Sequence, residues 1–127
     1  METATAEVDI DRPAADVWAI VGDFGGLAFL PGVDSVTVDG DVRTVGMGTM
    51  EVKEKLIARD DATRSITYSI IDGPMPIDHH EATITVTPQA EAAHVTWSVS
   101  TEPDEGAAFL RDIYQGALDA VKQRLEG

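Results

Sequence analysis

The sequence predicts a two-layer α+β fold, with seven antiparallel strands packed by one face against a single long helix at the carboxy-terminal end. Three observations carry that prediction. Thr3 to Asp11 alternates between apolar and polar side chains, the period of a half-buried strand. From Val33 onward the chain reads as six further strands, punctuated at Asp39-Gly40, Gly46 to Gly48, Asp60-Asp61, Gly73-Pro74-Met75-Pro76 and Pro88 to Ala92. Between Pro103 and Gly127, Leu110, Ile113, Tyr114, Ala117, Val121 and Leu125 fall at three- and four-residue steps, the spacing of an amphipathic helix.

In the first strand Ala4, Ala6, Val8 and Ile10 form one row and Thr5, Glu7, Asp9 and Asp11 the other. Asp11-Arg12-Pro13 then reads as a helix start, with Asp11 or Arg12 at the cap and Pro13 in the first turn. Val17, Trp18, Ile20 and Val21 continue that helix to Gly22, and Leu27 to Leu30 is read as a second short helical turn between Gly25-Gly26 and Pro31-Gly32. The long helix opens with Asp104 and Glu105 and closes with Lys122 and Arg124, the charge order that the helix dipole favours. Its Gly116, Ala117 and Ala120 are small, which leaves room for a ligand or permits close approach to the sheet.

A chain of 127 residues suits one hydrophobic core, so a single domain is expected over residues 1–127. Lys and Arg number 9 against 23 Asp and Glu, for a net charge of −14, which opposes the counterion-release attraction of nucleic-acid binders. Nucleic acid is therefore not an expected partner. Nor is membrane insertion, since no apolar run approaches the ~20 residues that span a bilayer, and the amino-terminal stretch lacks the features of a signal peptide. A cytoplasmic location is the expectation, with monomer and homodimer both open. There is no cysteine, so thiolate chemistry and disulfides are excluded. No metal and no cofactor is expected: His79 and His80, the adjacent pair, point to opposite faces of a strand and cannot chelate together.

Candidate chemistry lies in the strands. Between Thr49 and Arg59, Met50, Val52, Leu56 and Ala58 make an apolar row, Lys53, Lys55 and Arg59 a charged one, and Glu54 falls in the apolar row. An inward carboxylate needs a partner, water or ligand, and burial raises its pKa. By the same parity Tyr68 shares a face with Ile66 and Ile70, and His80 shares one with Ala82, Ile84 and Val86. Placing Tyr68 opposite both Glu54 and His80 centres the two hairpins at residues 61 and 74, both inside turn signals. Glu54, Tyr68 and His80 are therefore expected side by side across three strands.

The element order resembles the START-related, or SRPBCC, superfamily with the helix-grip fold, in its polyketide cyclase/dehydrase branch. The likeness rests on Ile10-Asp11-Arg12-Pro13-Ala14-Ala15-Asp16-Val17-Trp18, on Asp23-Phe24-Gly25 through Leu30-Pro31-Gly32-Val33, and on Gly73-Pro74-Met75-Pro76-Ile77 through Glu81-Ala82-Thr83-Ile84-Thr85-Val86. The resemblance implies a curved sheet gripping the long helix around an apolar cavity. Members range from cyclases and dehydratases to hormone receptors and lipid carriers, so the fold alone does not name the activity. Glu54, Tyr68 and His80 also resemble pocket positions of the plant abscisic acid receptors. The receptors' long gating loop is missing at Gly46-Met47-Gly48, and a receptor role does not carry over. Asp34 resembles a further polar pocket position and reads equally as a solvated strand-start aspartate.

A small, mainly apolar, oxygenated partner follows, such as a polyketide, aromatic or isoprenoid compound. Val52, Trp97, Ile113, Tyr114 and Ala117 are its candidate lining, although Trp97 reads first as a core filler and Tyr114 has an ordinary amphipathic role as its alternative. For the Glu54, Tyr68 and His80 cluster three uses stay open: satisfying one another, orienting a ligand, or moving protons. In the last, Glu54 is general acid or base, His80 the second proton carrier, and Tyr68 polarises a carbonyl oxygen, which suits cyclisation, dehydration or isomerisation. A non-catalytic carrier or sensor is the alternative, and a protein that docks partners through its acidic surface is a third class.

Overall fold

Every strand ends where its alternation meets a turn-forming residue. The computed structural model describes residues 2–25, 33–73, 79–102 and 104–126. Its elements are β1 (Glu2–Ile10), α1 (Ala14–Val21), β2 (Ser35–Asp39), β3 (Val42–Met47), β4 (Met50–Asp60), β5 (Ser65–Asp72), β6 (His79–Gln89), β7 (Ala92–Glu102) and α2 (Glu105–Glu126). The strands form one curved antiparallel sheet in the order β1-β7-β6-β5-β4-β3-β2. Six of them meander, and β1 is added outside β7, with Glu2 opposite Thr101 and Ile10 opposite Ala93. Gly40 and Gly48 make the tight β2–β3 and β3–β4 turns at φ of 65° and 63°, a region that glycine enters without a Cβ clash. The second helical turn expected at Leu27 to Leu30 lies outside the described residues, as does most of the turn expected from Gly73 to Pro76.

The start of α1 differs from expectation. Pro13 is the cap and no side chain bonds the first turn, so neither Asp11 nor Arg12 acts as a capping side chain. Asp11 instead donates its backbone N–H to Glu126 Oε2 at 2.8 Å. Gly22 closes α1 under the Trp18 ring, where a Cβ would lie 2.6 Å from ring carbons.

The long helix covers one end of the sheet, packing chiefly on β1 and β7. Ala107, Leu110, Tyr114, Ala117, Leu118 and Val121 form its buried stripe. They meet Ala6, Ile10, Val95 and Val99, which are wholly enclosed. One flank of the stripe is polar and ties α2 to the free edge of β1. Arg111 Nε donates to Thr5 O at 3.0 Å, Gln115 Nε2 to Glu7 O at 2.8 Å and Lys122 Nζ to Asp9 O at 2.6 Å, while Glu7 N–H donates back to Gln115 Oε1 at 3.2 Å. Side chains thus cover an edge that would otherwise template pairing with another chain.

The other flank is apolar. Phe109, Ile113, Gly116 and Ala120 recur at three- and four-residue steps, on the side of the stripe away from β1. Phe109 and Ile113 are 56% and 38% exposed.

One strand face changes midway. The β4–β5 ladder shifts register between Lys53 and Glu54 and again between Leu56 and Ala58, so Ile57 is an extra residue. Such a bulge reverses the parity beyond it. Ala58 therefore sits exposed opposite Thr67, and Arg59 pairs with Ile66 and lies over the Trp18 ring at 5.3 Å, the reverse of the alternation read from sequence.

Candidate functional site

The concave face of β3 to β6 carries an inward row of polar groups that no chain buries without bonding them. Glu54 and His80 are 8% and 1% exposed, and Tyr68 is equally enclosed. Their registers differ from the expected one. Tyr68 faces Leu56 and Ala82, and Glu54 faces Ile70. Ile70, whose N–H reaches the His80 ring, therefore occupies the place between Glu54 and His80, and Tyr68 stands diagonal to both. Asp60 pairs with Ser65, so the β4–β5 hairpin is centred between residues 62 and 63 rather than at 61, and one extra residue on each strand, Ile57 in β4 and Ile71 in β5, shifts the ladder further along.

Glu54 has a partner that the reading of the sequence passed over. Arg43 Nε donates to Glu54 Oε1 at 2.7 Å, and Arg43 Nη1 donates to Phe24 O at 2.8 Å. The guanidinium lies over the Phe24 ring at 4.4 Å and over the Tyr68 ring at 4.8 Å, contacts that favour a cation further. The signal was present, since Arg43 alternates with Val45 and Met47 on β3 just as Glu54 does with Val52 and Leu56 on β4. Burial pushes the Glu54 carboxyl above its usual range against the opposing pull of Arg43. Its second oxygen has no partner among the described residues. No fully enclosed side-chain oxygen or nitrogen there lacks a bond, so this oxygen looks onto open space.

The second group is neutral. Ile70 N–H donates to His80 Nδ1 at 3.0 Å, which leaves the ring proton on Nε2, 3.1 Å from the Tyr114 hydroxyl. Ser69 Oγ donates to the His80 carbonyl and fixes the backbone there. Burial, with a smaller push from His79, lowers the His80 pKa to about 4. Trp97 Nε1 donates to the Tyr68 hydroxyl at 3.1 Å, and the Trp97 and Tyr114 rings stack with centroids 4.0 Å apart. The Tyr68 and Tyr114 hydroxyls adjoin one another, and burial raises both phenol pKa values.

The remaining candidates divide. Trp97, Tyr114 and Ala117 are buried at this cluster or beside it. Val52 is half-buried opposite Val45, two residues before Glu54 on the same strand. Ile113 lies on the exposed apolar flank of α2. Asp34 stands outside the cluster: it precedes β2, is exposed, and accepts the Gly48 N–H at the β3–β4 turn. Its place is that of a solvated aspartate fixing a turn. Among the described residues no three His, Asp or Glu side chains are grouped to hold a metal ion, and no helix is long and apolar enough to cross a membrane.

The sequence matches the family described as polyketide cyclase / dehydrase and lipid transport over residues 1–126. The chain belongs to that family. Solved structures resemble it over nearly their whole length. Protein XoxI from Bacillus cereus is 29% identical with a TM-score of 0.92, covering 98% of this chain and 96% of that one. An uncharacterized Bacillus thuringiensis protein is 26% identical with a TM-score of 0.92, covering 98% and 99%. A Thermobifida fusca protein solved in solution is 32% identical with a TM-score of 0.84, covering 98% and 93%. No curated protein matches. This member of the polyketide cyclase / dehydrase and lipid transport family thus carries its polar groups in two linked sets, one charged and one neutral. Arg43 joins them by resting on the ring of Tyr68.

Proposed function

We propose that the protein binds a small, mainly apolar, oxygenated molecule between the concave face of β4 to β6 and the apolar flank of α2. A polyketide, an aromatic or an isoprenoid compound fits that description. The observation that carries the reading is the pairing of two surfaces: enclosed polar groups on the sheet and an exposed stripe of Phe109, Ile113, Gly116 and Ala120 on the helix. Apolar lining with a few convergent polar groups is the usual make-up of a small-molecule site. Membership of the family supports the same class of ligand.

Within such a site Glu54 is the group equipped for proton transfer, because it has an unbonded oxygen and a raised pKa. If turnover accompanies binding, Glu54 removes a proton alpha to a ligand carbonyl and returns it elsewhere. His80 is unsuited to the second proton step: both ring nitrogens are engaged and the ring stays neutral. It positions Tyr114 instead.

A thermal-shift screen of aromatic ketones and polyketide-like compounds tests the binding. Ligand at 100 times its Kd should add about 2.7 kcal/mol, a rise of roughly 10 °C in Tm. Ile113→Glu charges the exposed flank without touching the core and should abolish the shift. An unchanged shift in that variant, or no shift from any compound, would remove the proposed site.

A further inference from the structure

We infer that the ligand presents a hydrogen-bond acceptor oxygen, a carbonyl or an enolate, to a phenol proton of the Tyr68–Tyr114 pair. The inference rests on the binding reading above and adds which group the ligand must carry. It follows from counting protons in the neutral set. Trp97 Nε1–H donates to the Tyr68 oxygen and cannot accept in return. His80 Nδ1 takes the Ile70 N–H, so the ring proton sits on Nε2 and is donated to the Tyr114 oxygen. Both phenol oxygens are therefore acceptors already, each served by a donor whose direction is fixed. The two phenols carry two protons. Even if one of them bridges Tyr68 and Tyr114, the other has no acceptor within the set, and no described side chain or carbonyl takes it.

An O–H held in so enclosed a place requires an acceptor. Tyr68 and Tyr114 are 2% and 4% exposed; of the two nearby charges, the Arg43 guanidinium lies on the ring face of Tyr68, and the Glu54 carboxylate is bonded to Arg43 and accepts from neither phenol. A ligand oxygen supplies what is missing. Tyr114 lies on the buried stripe of α2 next to Ile113 of the apolar flank. A bound molecule lying along that flank therefore brings its oxygen to the phenols. The neighbouring Glu54 oxygen is an acceptor, so the two sets divide the ligand's polar atoms: the phenol proton takes a carbonyl, and the carboxylate takes a hydroxyl or an acidic C–H.

The test compares 2-acetylnaphthalene with 2-ethylnaphthalene, which differ in one carbonyl, by quenching of tryptophan fluorescence. The ketone should bind about 10-fold more tightly, the worth of a hydrogen bond at the upper end of the neutral range. The preference should fall in Tyr68→Phe and in Tyr114→Phe and vanish in the double variant, while the ethyl compound binds all four proteins alike. Infrared spectra of carbonyl-labelled ketone bound to the unaltered protein should place the C=O stretch below its value in hexane, a readout that needs no variant. Equal binding of the two compounds, or a carbonyl stretch at the hexane position, overturns the inference while leaving the site itself intact. Binding of neither compound overturns the site.

Discussion

The two ends of the sheet share one fold and follow opposite rules for what faces inward. Under α2, β1 and β7 turn Ala6, Ile10, Val95 and Val99 inward, and all are completely enclosed. Across β3 to β6 the same inward parity holds Arg43, Glu54, Tyr68 and His80. Close packing of aliphatic side chains stabilises the first end. At the second, each polar group incurs a desolvation penalty that its partners offset only in part. The difference teaches that the β1–β7 end carries stability, while the polar end gives some of it up to hold charged and hydrogen-bonding groups inside.

The largest effect expected from breaking this contrast is at Arg43. Arg43→Met leaves the Glu54 carboxylate buried without its ion partner and should destabilise the protein by about 3–5 kcal/mol in urea unfolding. Arg43→Met with Glu54→Leu should recover most of that loss. A single variant as stable as the parent would mean that the pair is not buried in solution. At the aliphatic end, Leu118→Ala opens a cavity beneath α2 and should lose about 2–5 kcal/mol, with ligand-induced shifts kept. Loss of those shifts would show that the two ends do not act separately.

The two bonded histidines sharpen the contrast further. His80 is held neutral with its pKa near 4, below the ordinary value, so the unfolded chain binds the proton first as pH falls. Its contribution is complete above pH 6.5 and is lost towards pH 4, by about 3 kcal/mol, as the difference between the parent and His80→Gln measured across that range. His94 behaves the other way. Its Nδ1 lies 2.7 Å from Asp9 Oδ1 and its Nε2 3.1 Å from Glu7 Oε1, and these bonds raise its pKa. That contribution is present below the unfolded value and disappears as pH rises through the folded one. At this open surface it should amount to less than about 0.5 kcal/mol, read as the His94→Gln difference between pH 6 and pH 8. Slopes of the same sign for both residues would contradict the two placements.

Much of the fold was legible in the sequence because period-two alternation decides which face a strand buries. The seven strands, the long helix and the inward parity of Glu54, Tyr68 and His80 all follow from it. Register was not legible. Hairpin symmetry needs the turn centre, and Asp60 pairs with Ser65, which moves that centre from residue 61 to between 62 and 63; with the extra Ile57, Ile70 occupies the place assigned to Tyr68. The bulge at Ile57 likewise turned Arg59 to the face where Ala58 had been expected. Arg43 was legible and overlooked, because a lone arginine among Val42, Thr44 and Val45 reads as a surface charge until its strand neighbour is known. Nothing in the sequence could give the His80 tautomer, since that depends on an N–H from the adjacent strand.

The attachment of α2 to β1 governs how the molecule assembles. The first strand waits for β7 and then for side chains of the helix that follows it. Such long-range contacts slow folding and place edge closure late in the sequence of events. A chain that is cut or stalled before α2 forms would leave the carbonyls of Thr5, Glu7 and Asp9 seeking donors. The nearest supply is the same strand of another copy, which makes that interval the protein's time of greatest risk of aggregation.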